Sequence, residues 1–259
     1  MIRYLRFVKR RCHVSDYDPK SQLITRWSLL NLRELGGMPL NDGRTFASGR
    51  FWRSSSPSRL SPDEVSAIRD AGVTTVIDFR SVQELERCGN PFLDDGITDF
   101  HSIPLFAGDP SNFKDKAMAF LKDNTLGDFY VIMINKLAKE IAQVMRILKD
   151  APGITLFHCT HGKDRTGVIT AILYLLAGAC QEDIISNYKI SYELIKPVVD
   201  PIIERAPDVM KHALRSDESN METFLDYIDK TYNGDITPYL SSAGLTDEEI
   251  SDLRSKCIG

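Results

Sequence analysis

The chain has 259 residues, of which 42% are hydrophobic and 26% are charged, a composition typical of a globular protein with one sizeable core. Its formal net charge of -4 provides no broad basic field, which argues against nucleic acid as a main partner. The longest apolar stretch, residues 168–179, is too short to span a bilayer. The sequence does not indicate an oligomeric state.

The cysteine pattern predicts a reducing, cytoplasmic setting. The five cysteines are an odd number and show neither CxxC pairs nor zinc-type spacing; they are Cys12, Cys88, Cys159, Cys180 and Cys257. His13, His101 and His212 also lack ligand spacing. No metal site and no cofactor are therefore predicted.

The first 25 residues form a predicted basic N-terminal arm. Five cations precede the first acid, Asp16, and they are Arg3, Arg6, Lys9, Arg10 and Arg11. The segment lacks the uninterrupted apolar region and cleavage site of a secretory signal. An arm that packs on the domain or stays loose is favoured, and the alternatives are a transit peptide or peripheral contact with an anionic membrane.

The first half of the chain predicts strands, turns and one well-defined helix. Residues 31–55 look like strands and turns punctuated by glycines. Ser61 and Glu64 then form a capping box, which predicts a helix that ends near Gly72. The β-branched run of residues 73–79 indicates a buried strand.

The middle of the chain continues this alternation. A second strand is predicted over residues 100–105, followed by an irregular stretch with a short helix at 115–122. Apolar residues at helical spacing predict one long helix over 129–150. Residues 154–158 indicate a short buried strand, and 168–179 indicate a buried helix. The predicted fold class is α/β, with a central sheet flanked by helices.

The C-terminal third is predicted to be helical. Patterns from Gln181 onward are interrupted by Pro197, Pro201 and Pro207, which suggests a helical lid or cap over about residues 182–240. A second capping box, Thr246 with Glu249, predicts a surface helix near residue 250. The predicted main domain covers residues 26–259.

A candidate phosphate-binding loop joins the strand at 154–158 to the buried helix. Its sequence is HCTHGKDRTG, so Cys159 ends the strand and Arg165 follows six positions later at the helix start. Backbone N–H groups of such a loop, with the helix N-terminus, can surround a phosphoryl group. The same field favours the thiolate of Cys159, a nucleophile that would form a phosphocysteine. The planar fork of Arg165 suits two phosphoryl oxygens.

Each remaining loop position also has a predicted role. The predicted substrate-binding set is Thr160, His161, Gly162, Lys163, Asp164 and Arg165. Gly162 permits a backbone shape that other residues resist, and Lys163 is expected to place a cation at the pocket rim. His161 either shapes substrate access or faces solvent. Thr166 is expected to place a hydroxyl near the sulfur, and His158 to order the loop through hydrogen bonds.

The loop carries a resemblance to a known family. Cys-x5-Arg followed by Thr-Gly resembles the signature loop of the protein tyrosine phosphatase superfamily, and HCxxGKDRTG is similar to its atypical branch among bacterial effector phosphatases and their fungal or protist relatives. The segments NLRELGG, FWRSS, VIDFRSVQELE and YLSSAGLTDEEISDLR also resemble that branch, so the similarity covers about residues 29–256.

The resemblance implies a tyrosine-phosphatase-like fold and hydrolysis of phosphomonoesters through a phosphocysteine. The implied substrates are phosphotyrosine proteins, with broad or dual specificity. A phosphoinositide phosphatase is the alternative. A non-catalytic, phosphate-binding pseudophosphatase is less favoured, because Cys159, Asp164 and Arg165 are all present. A rhodanese-like sulfurtransferase is disfavoured by the KDRTG continuation.

The resemblance also implies that Asp164 is the general acid for the leaving group. The positive charge of Arg165 favours an ionised carboxylate at Asp164, which suits a hydrogen-bond acceptor better than a proton donor. Asp128, through its spacing from Cys159, and the weaker candidate Asp109 are therefore alternative general acids. A structural network of ion pairs and hydrogen bonds near the loop is expected from Asp78, Arg80 and Glu84.

Overall fold

The computed structural model describes residues 16–106 and 119–259. Several predictions lie outside these residues, namely Asp109, Cys12, His13, most of the basic arm and most of the helix expected at 115–122. Within the two described ranges, every helix is too short or too polar to cross a bilayer.

A five-stranded sheet forms the centre of the fold, as predicted. Its strands are β1 Arg33–Glu34, β2 Phe51–Ser54, β3 Val73–Asp78, β4 Asp99–Ser102 and β5 Ile154–His158, in the order β1-β2-β5-β3-β4. Strands β2, β5, β3 and β4 are parallel, whereas β1 is antiparallel to β2. Because His158 pairs with Ser54 and Asp78, the carboxyl ends of the three inner strands meet beside Cys159.

Within residues 16–106 and 119–259, nine α-helices surround the sheet. They are α1 Pro62–Asp70, α2 Val82–Cys88, α3 Leu126–Lys136, α4 Ala138–Asp150, α5 Asp164–Ala177, α6 Gln181–Arg205, α7 Glu218–Tyr232, α8 Thr237–Ser242 and α9 Asp247–Cys257. Two short 3₁₀ helices cover Pro19–Gln22 and Asp208–Leu214. The capping boxes expected at Ser61 and Thr246 are both present.

The two faces of the sheet bury separate cores. Ile77 and Phe157 contribute to the larger core, which includes α5 and the other C-terminal helices. Their neighbours Val76 and Leu156 point to the opposite face and pack against α1. Helix α5 lies inside the larger core with nearly every residue buried, so its N-terminus has a rigid position at the sheet edge.

The long helix predicted over 129–150 is wrong, because α3 and α4 are separate helices. The chain turns at Leu137, whose φ of -114° and ψ of 32° are not helical. Helix α3 packs against α7, whereas α4 packs against α9. The two helices bury their apolar faces against different neighbours, and the apolar spacing continues through the turn without marking it.

The prediction that Pro197 and Pro201 interrupt the helical patterns is also wrong. Helix α6 runs through both and ends at Arg205, two residues before Pro207. A proline removes one donor from the helix, which leaves the carbonyl four residues earlier without its usual partner. Both prolines lie on the exposed face of α6, so water can bind those carbonyls.

Replacement of Pro201 should test this explanation. Pro201→Ala restores a backbone donor inside α6, so we expect the free energy of unfolding to rise by about 1 to 3 kcal/mol in urea denaturation. Pro207→Ala is the matched control, because its φ of -55° already suits proline. That control should destabilise by less than about 1 kcal/mol. A destabilising Pro201→Ala would contradict the explanation.

Candidate active site

The loop between β5 and α5 lies at the carboxyl edge of the sheet. Strand β5 ends at His158, Cys159 follows at once, and α5 begins at Asp164. The Cys159 and Arg165 side chains are 2% and 7% exposed. The structure therefore buries both residues, and Arg165 also lines a cavity.

Gly162 has the backbone shape that the loop requires. Its φ is +65°, and a Cβ atom there would lie 2.2 Å from the carbonyl oxygen of Ser54. A side chain at this position would collide with the backbone of β2. Glycine is therefore required at the tightest point of the loop.

Two side chains hold the loop from behind. Arg53 Nη2 donates to the Gly162 carbonyl at 2.7 Å, and Asn31 Nδ2 donates to the carbonyls of Gly162 at 2.9 Å and His161 at 3.1 Å. In a trans peptide the next N–H points away from the carbonyl. The N–H group of Gly162 therefore points away from Asn31, and that of Lys163 points away from Arg53 and Asn31, so both can serve an anion on the opposite side of the loop.

Arg53 is a site residue that the sequence analysis named only within the FWRSS segment. It is completely buried, and burial lowers its pKa to about 10 despite opposing contributions from Tyr174 and Cys159. Its other bond, from Nη1 to Asn187 Oδ1, is 3.1 Å long. An arginine inside a strand of buried residues was the available signal, since such a charge needs a specific partner.

Arg165 is held by a bidentate ion pair with Glu84. Nη1 lies 2.7 Å from Oε2 and Nη2 lies 3.0 Å from Oε1, while Nη1 also donates to the Phe79 carbonyl at 3.2 Å. Burial alone would lower the pKa of Arg165, but the opposing effects of Cys159 and Glu84 are together larger and raise this pKa above its usual value. The guanidinium therefore stays charged. Glu84 also accepts a hydrogen bond from Thr160 Oγ1.

A second network lies behind Cys159, as expected for Asp78 and Arg80. These two form a buried ion pair of 2.7 Å. His158 Nδ1 is 3.1 Å from the Cys159 carbonyl, and its Nε2 is 3.0 Å from Asn90 Nδ2. Burial lowers the pKa of His158 despite the nearby Asp78, so a neutral ring with the proton on Nδ1 fits both contacts.

Lys163 is not at the pocket rim, which corrects the sequence prediction. It is 1% exposed, and its Nζ donates to the carbonyls of Ala213 at 3.0 Å and Arg215 at 2.7 Å. These carbonyls lie at the end of the 3₁₀ helix Asp208–Leu214, where backbone acceptors lack helical partners. The lysine is drawn inward because they provide acceptors for it.

The structure brings Asp164, but not Asp128, to the loop. Asp164 Oδ1 accepts from the Tyr130 hydroxyl at 2.6 Å and lies 3.1 Å from Lys163 Nζ. Asp128 instead caps α3, where its Oδ2 accepts from Thr125 N at 3.0 Å. Tyr130 lies 34 positions from Asp164, and no local sequence signal joins them.

The remaining loop side chains have different surroundings. His161 lines the pocket, and burial together with the charge of Lys163 lowers its pKa to about 4, so it is neutral at pH 7. Thr166 is buried, and its hydroxyl oxygen has no hydrogen-bond partner among the described residues. The expected bond from Thr166 to the sulfur is therefore not formed in this structure. Thr160 contacts Glu84 and lines the same pocket.

A cavity of about 780 Å³ opens above the loop. Asp164 and Arg165 belong to its polar lining. Most of its wall is apolar and includes Leu29, Phe106, Phe129, Val198, Ile202 and Met210. The cavity can therefore bind a molecule that combines an anionic group, held by Arg165, with a sizeable apolar group.

Comparisons with known proteins agree on one family. Residues 25–259 match the tyrosine phosphatase family. The chain is 28% identical to a tyrosine-protein phosphatase of Nostoc commune, over 79% of this chain and 72% of the relative. It is 25% identical to the triple specificity protein phosphatase PtpB of Mycobacterium tuberculosis, over 82% of this chain and 91% of PtpB.

A solved structure also matches, that of Pseudomonas aeruginosa TpbA, with 17% identity and a TM-score of 0.37 over 75% of this chain and 86% of TpbA. The family match and the sequence relatives make the chain a phosphatase of the protein-tyrosine-phosphatase type. It belongs to the tyrosine phosphatase family, whose match extends over most of its length.

The Glu84–Arg165 pair should make stability depend on pH. Burial would raise the pKa of Glu84, but Arg165 and neighbouring donors lower it from 4.5 to about 2. A lowered pKa stabilises the fold above pH 4.5, and that contribution is lost as the pH falls toward 2. Glu84→Gln should therefore cost about 3 kcal/mol at pH 7, and the cost should shrink below pH 4.5.

Chemical denaturation at several pH values measures this difference. Glu86→Gln is the matched control, because Glu86 lies in the same helix and is exposed. That control should change stability by less than about 0.5 kcal/mol at every pH. A Glu84→Gln cost that stays constant down to pH 2.5 would show that the ion pair does not produce the effect.

Proposed function

We propose that the chain hydrolyses phosphomonoesters through a phosphocysteine intermediate on Cys159, mainly on phosphotyrosine proteins and with broad specificity. The observation that carries this proposal is Arg165, held by Glu84 in the wall of a cavity that other loop residues also line, with the buried Cys159 at the start of the same loop. Nucleophile and phosphate clamp come from one rigid loop, as in-line attack requires.

In the first step, the Cys159 thiolate attacks phosphorus, a P–S bond forms and the P–O bond to the leaving group breaks. Glu84 and Phe79 occupy N–H groups on Nη1 and Nη2 of Arg165, whereas its Nε–H has no acceptor among the described residues. Arg165 can therefore bind a phosphoryl oxygen while its plane stays fixed. Asp164 gives its proton to the leaving oxygen.

In the second step, water attacks phosphorus, a P–O bond forms and the P–S bond breaks, so that Cys159 leaves as a thiolate and the proton of the water passes to the Asp164 carboxylate. Thr166 follows Arg165 in the sequence, and its buried hydroxyl oxygen has no hydrogen-bond partner among the described residues. This hydroxyl can therefore donate a hydrogen bond to the departing thiolate. Loop N–H groups hold the phosphoryl oxygens in both steps, and His158 orders the loop from behind through Cys159.

The predicted lid, about residues 182–240, is supported by its position over the cavity. Val198 and Ile202 of α6, with Met210 of the 3₁₀ helix, form part of the cavity wall. Lys163 ties this wall to the loop through the carbonyls of Ala213 and Arg215. The segment therefore forms part of the wall against which a substrate would bind.

Support for the substrate proposal comes from the cavity wall. Phe106 and Phe129 pack with ring centroids 5.6 Å apart, and Phe106 lies 5.9 Å from the Arg165 guanidinium carbon. An aromatic phosphate ester fits beside such rings. The apolar wall also fits lipid chains, which favours a phosphoinositide as the second candidate. The triple specificity stated in the name of the relative PtpB supports breadth rather than a single substrate.

Loss of the nucleophile tests the mechanism. Cys159→Ser should reduce hydrolysis of p-nitrophenyl phosphate, measured with excess chelator, to the background rate, because a neutral hydroxyl attacks far more slowly than a thiolate. Cys88→Ser is the matched control, an exposed free thiol of the same cavity that should keep most activity. Full activity in Cys159→Ser would remove the proposed nucleophile.

A substrate panel tests breadth. Phosphotyrosine, phosphoserine and phosphothreonine peptides should be compared with phosphoinositides in micelles by kcat/KM. We expect phosphotyrosine peptides to lead, with the best phosphoinositide within about a hundredfold, or about 2.7 kcal/mol. A larger gap in either direction would overturn the broad-specificity proposal while leaving the role of Cys159 intact.

A further inference from the structure

A chain of buried hydroxyl groups ends on the loop aspartate. The Tyr130 hydroxyl of α3 donates to Asp164 Oδ1 at 2.6 Å, and the Tyr188 hydroxyl of α6 lies 2.8 Å from the Tyr130 hydroxyl. Both rings are buried and pack edge to face with centroids 6.1 Å apart. Two helices distant in sequence thus converge on one carboxylate oxygen.

The direction of the hydrogen bonds follows from the number of available protons. A phenol has one O–H group, and that of Tyr130 donates its hydrogen bond to Asp164. The hydrogen bond between the two tyrosines must therefore be donated by Tyr188. Asn220 of α7 in turn hydrogen-bonds Tyr188 and lowers its pKa slightly against a larger rise from burial. All donors point toward Asp164, and such aligned bonds reinforce one another.

The hydroxyl groups of Tyr130 and Tyr188 stay protonated at neutral pH, so both remain hydrogen-bond donors. Burial raises the pKa of Tyr130 well above its usual value, and the charge of Asp164 raises it further. Burial and Asp164 act on the pKa of Tyr188 in the same direction. Ionisation of either hydroxyl would place a second negative charge beside Asp164 in a buried site.

The two oxygens of Asp164 are therefore not equivalent. Oδ1 accepts from Tyr130 and lies 3.1 Å from Lys163 Nζ, so it is surrounded by donors. A proton on the acid form of Asp164 then belongs on Oδ2, which receives neither of these donors. Asp164 itself lines the cavity beside Arg165.

We propose that Tyr130 is a positioning residue that fixes the Asp164 carboxyl group so that Oδ2 delivers the proton to the leaving oxygen. The inference rests on the proposed function, with Asp164 as general acid. In this step the Oδ2–H bond breaks, the leaving oxygen gains the proton, and Asp164 becomes a carboxylate. Tyr130 and Lys163 then stabilise the negative charge on Oδ1.

Leaving-group dependence distinguishes positioning of an acid from general support of the fold. A nitrophenolate leaves readily without a proton, whereas an unsubstituted phenolate needs one. Tyr130→Phe should lower kcat/KM for phenyl phosphate by about 10 to 100-fold, part of the usual contribution of a general acid. For p-nitrophenyl phosphate the decrease should be less than about threefold.

A double-mutant cycle identifies the path of the effect. Asp164→Asn should show the same selective loss on phenyl phosphate, and Tyr130→Phe should add less than about threefold in the Asp164→Asn background. Tyr239→Phe is the matched control, because this buried hydroxyl binds the Ile134 carbonyl of the same helix at 2.9 Å, away from Asp164. It should reduce kcat/KM for both esters by the same small factor.

Three outcomes would overturn the proposal. Equal losses on both esters in Tyr130→Phe would indicate a purely structural role, and multiplied losses in the double variant would indicate an effect independent of Asp164. An Asp164→Asn variant without leaving-group selectivity would remove the general acid, while the Cys159→Ser result still judges the nucleophile separately. If Tyr130→Phe does not fold, Tyr188→Phe should give a smaller loss of the same selectivity.

Discussion

The site depends on carbonyl groups that are turned toward buried cations. Arg53 and Asn31 bind the Gly162 carbonyl, and the trans peptide then directs the following N–H to the opposite side. Burial removes the Arg53 guanidinium from water, which is unfavourable for the charged form and lowers its pKa. The hydrogen bonds to Gly162 and Asn187 offset part of this desolvation cost. Both of these acceptors are neutral, so neither neutralises the positive charge that Arg53 places below the loop.

Arg165 has the opposite arrangement, because a carboxylate is its main partner. A negative group near a phosphate site would ordinarily weaken anion binding. Here Glu84 already accepts hydrogen bonds from Arg165, from Thr160 and from the Ser81 backbone at the start of α2, so its charge is balanced by these donors. What the pair provides is a fixed guanidinium plane, and preorganised donors need no rearrangement when charge develops in the transition state.

The sequence predicts what depends on local chemistry. The offsets between Cys159, Gly162 and Arg165, and the capping boxes, are readable because each involves neighbours within a few residues. The direction of the Lys163 side chain cannot be predicted in this way, because its acceptors lie 50 and 52 positions later in the chain. The break at Leu137 was missed for a similar reason, because it arises from packing against two different helices.

The two donors on Asp164 Oδ1 differ in what holds them in place. Tyr130 is buried in the core, and its hydroxyl lies 2.8 Å from that of Tyr188, which belongs to α6 and so to the proposed lid segment. Lys163 is held by carbonyls of the proposed lid, and an opening of that wall would release its Nζ. Tyr188, Ala213 and Arg215 all belong to the segment proposed as the lid. The orientation of Asp164 and the position of its cationic neighbour are therefore both tied to that segment, one through a phenol fixed by core packing and the other through a flexible ammonium side chain.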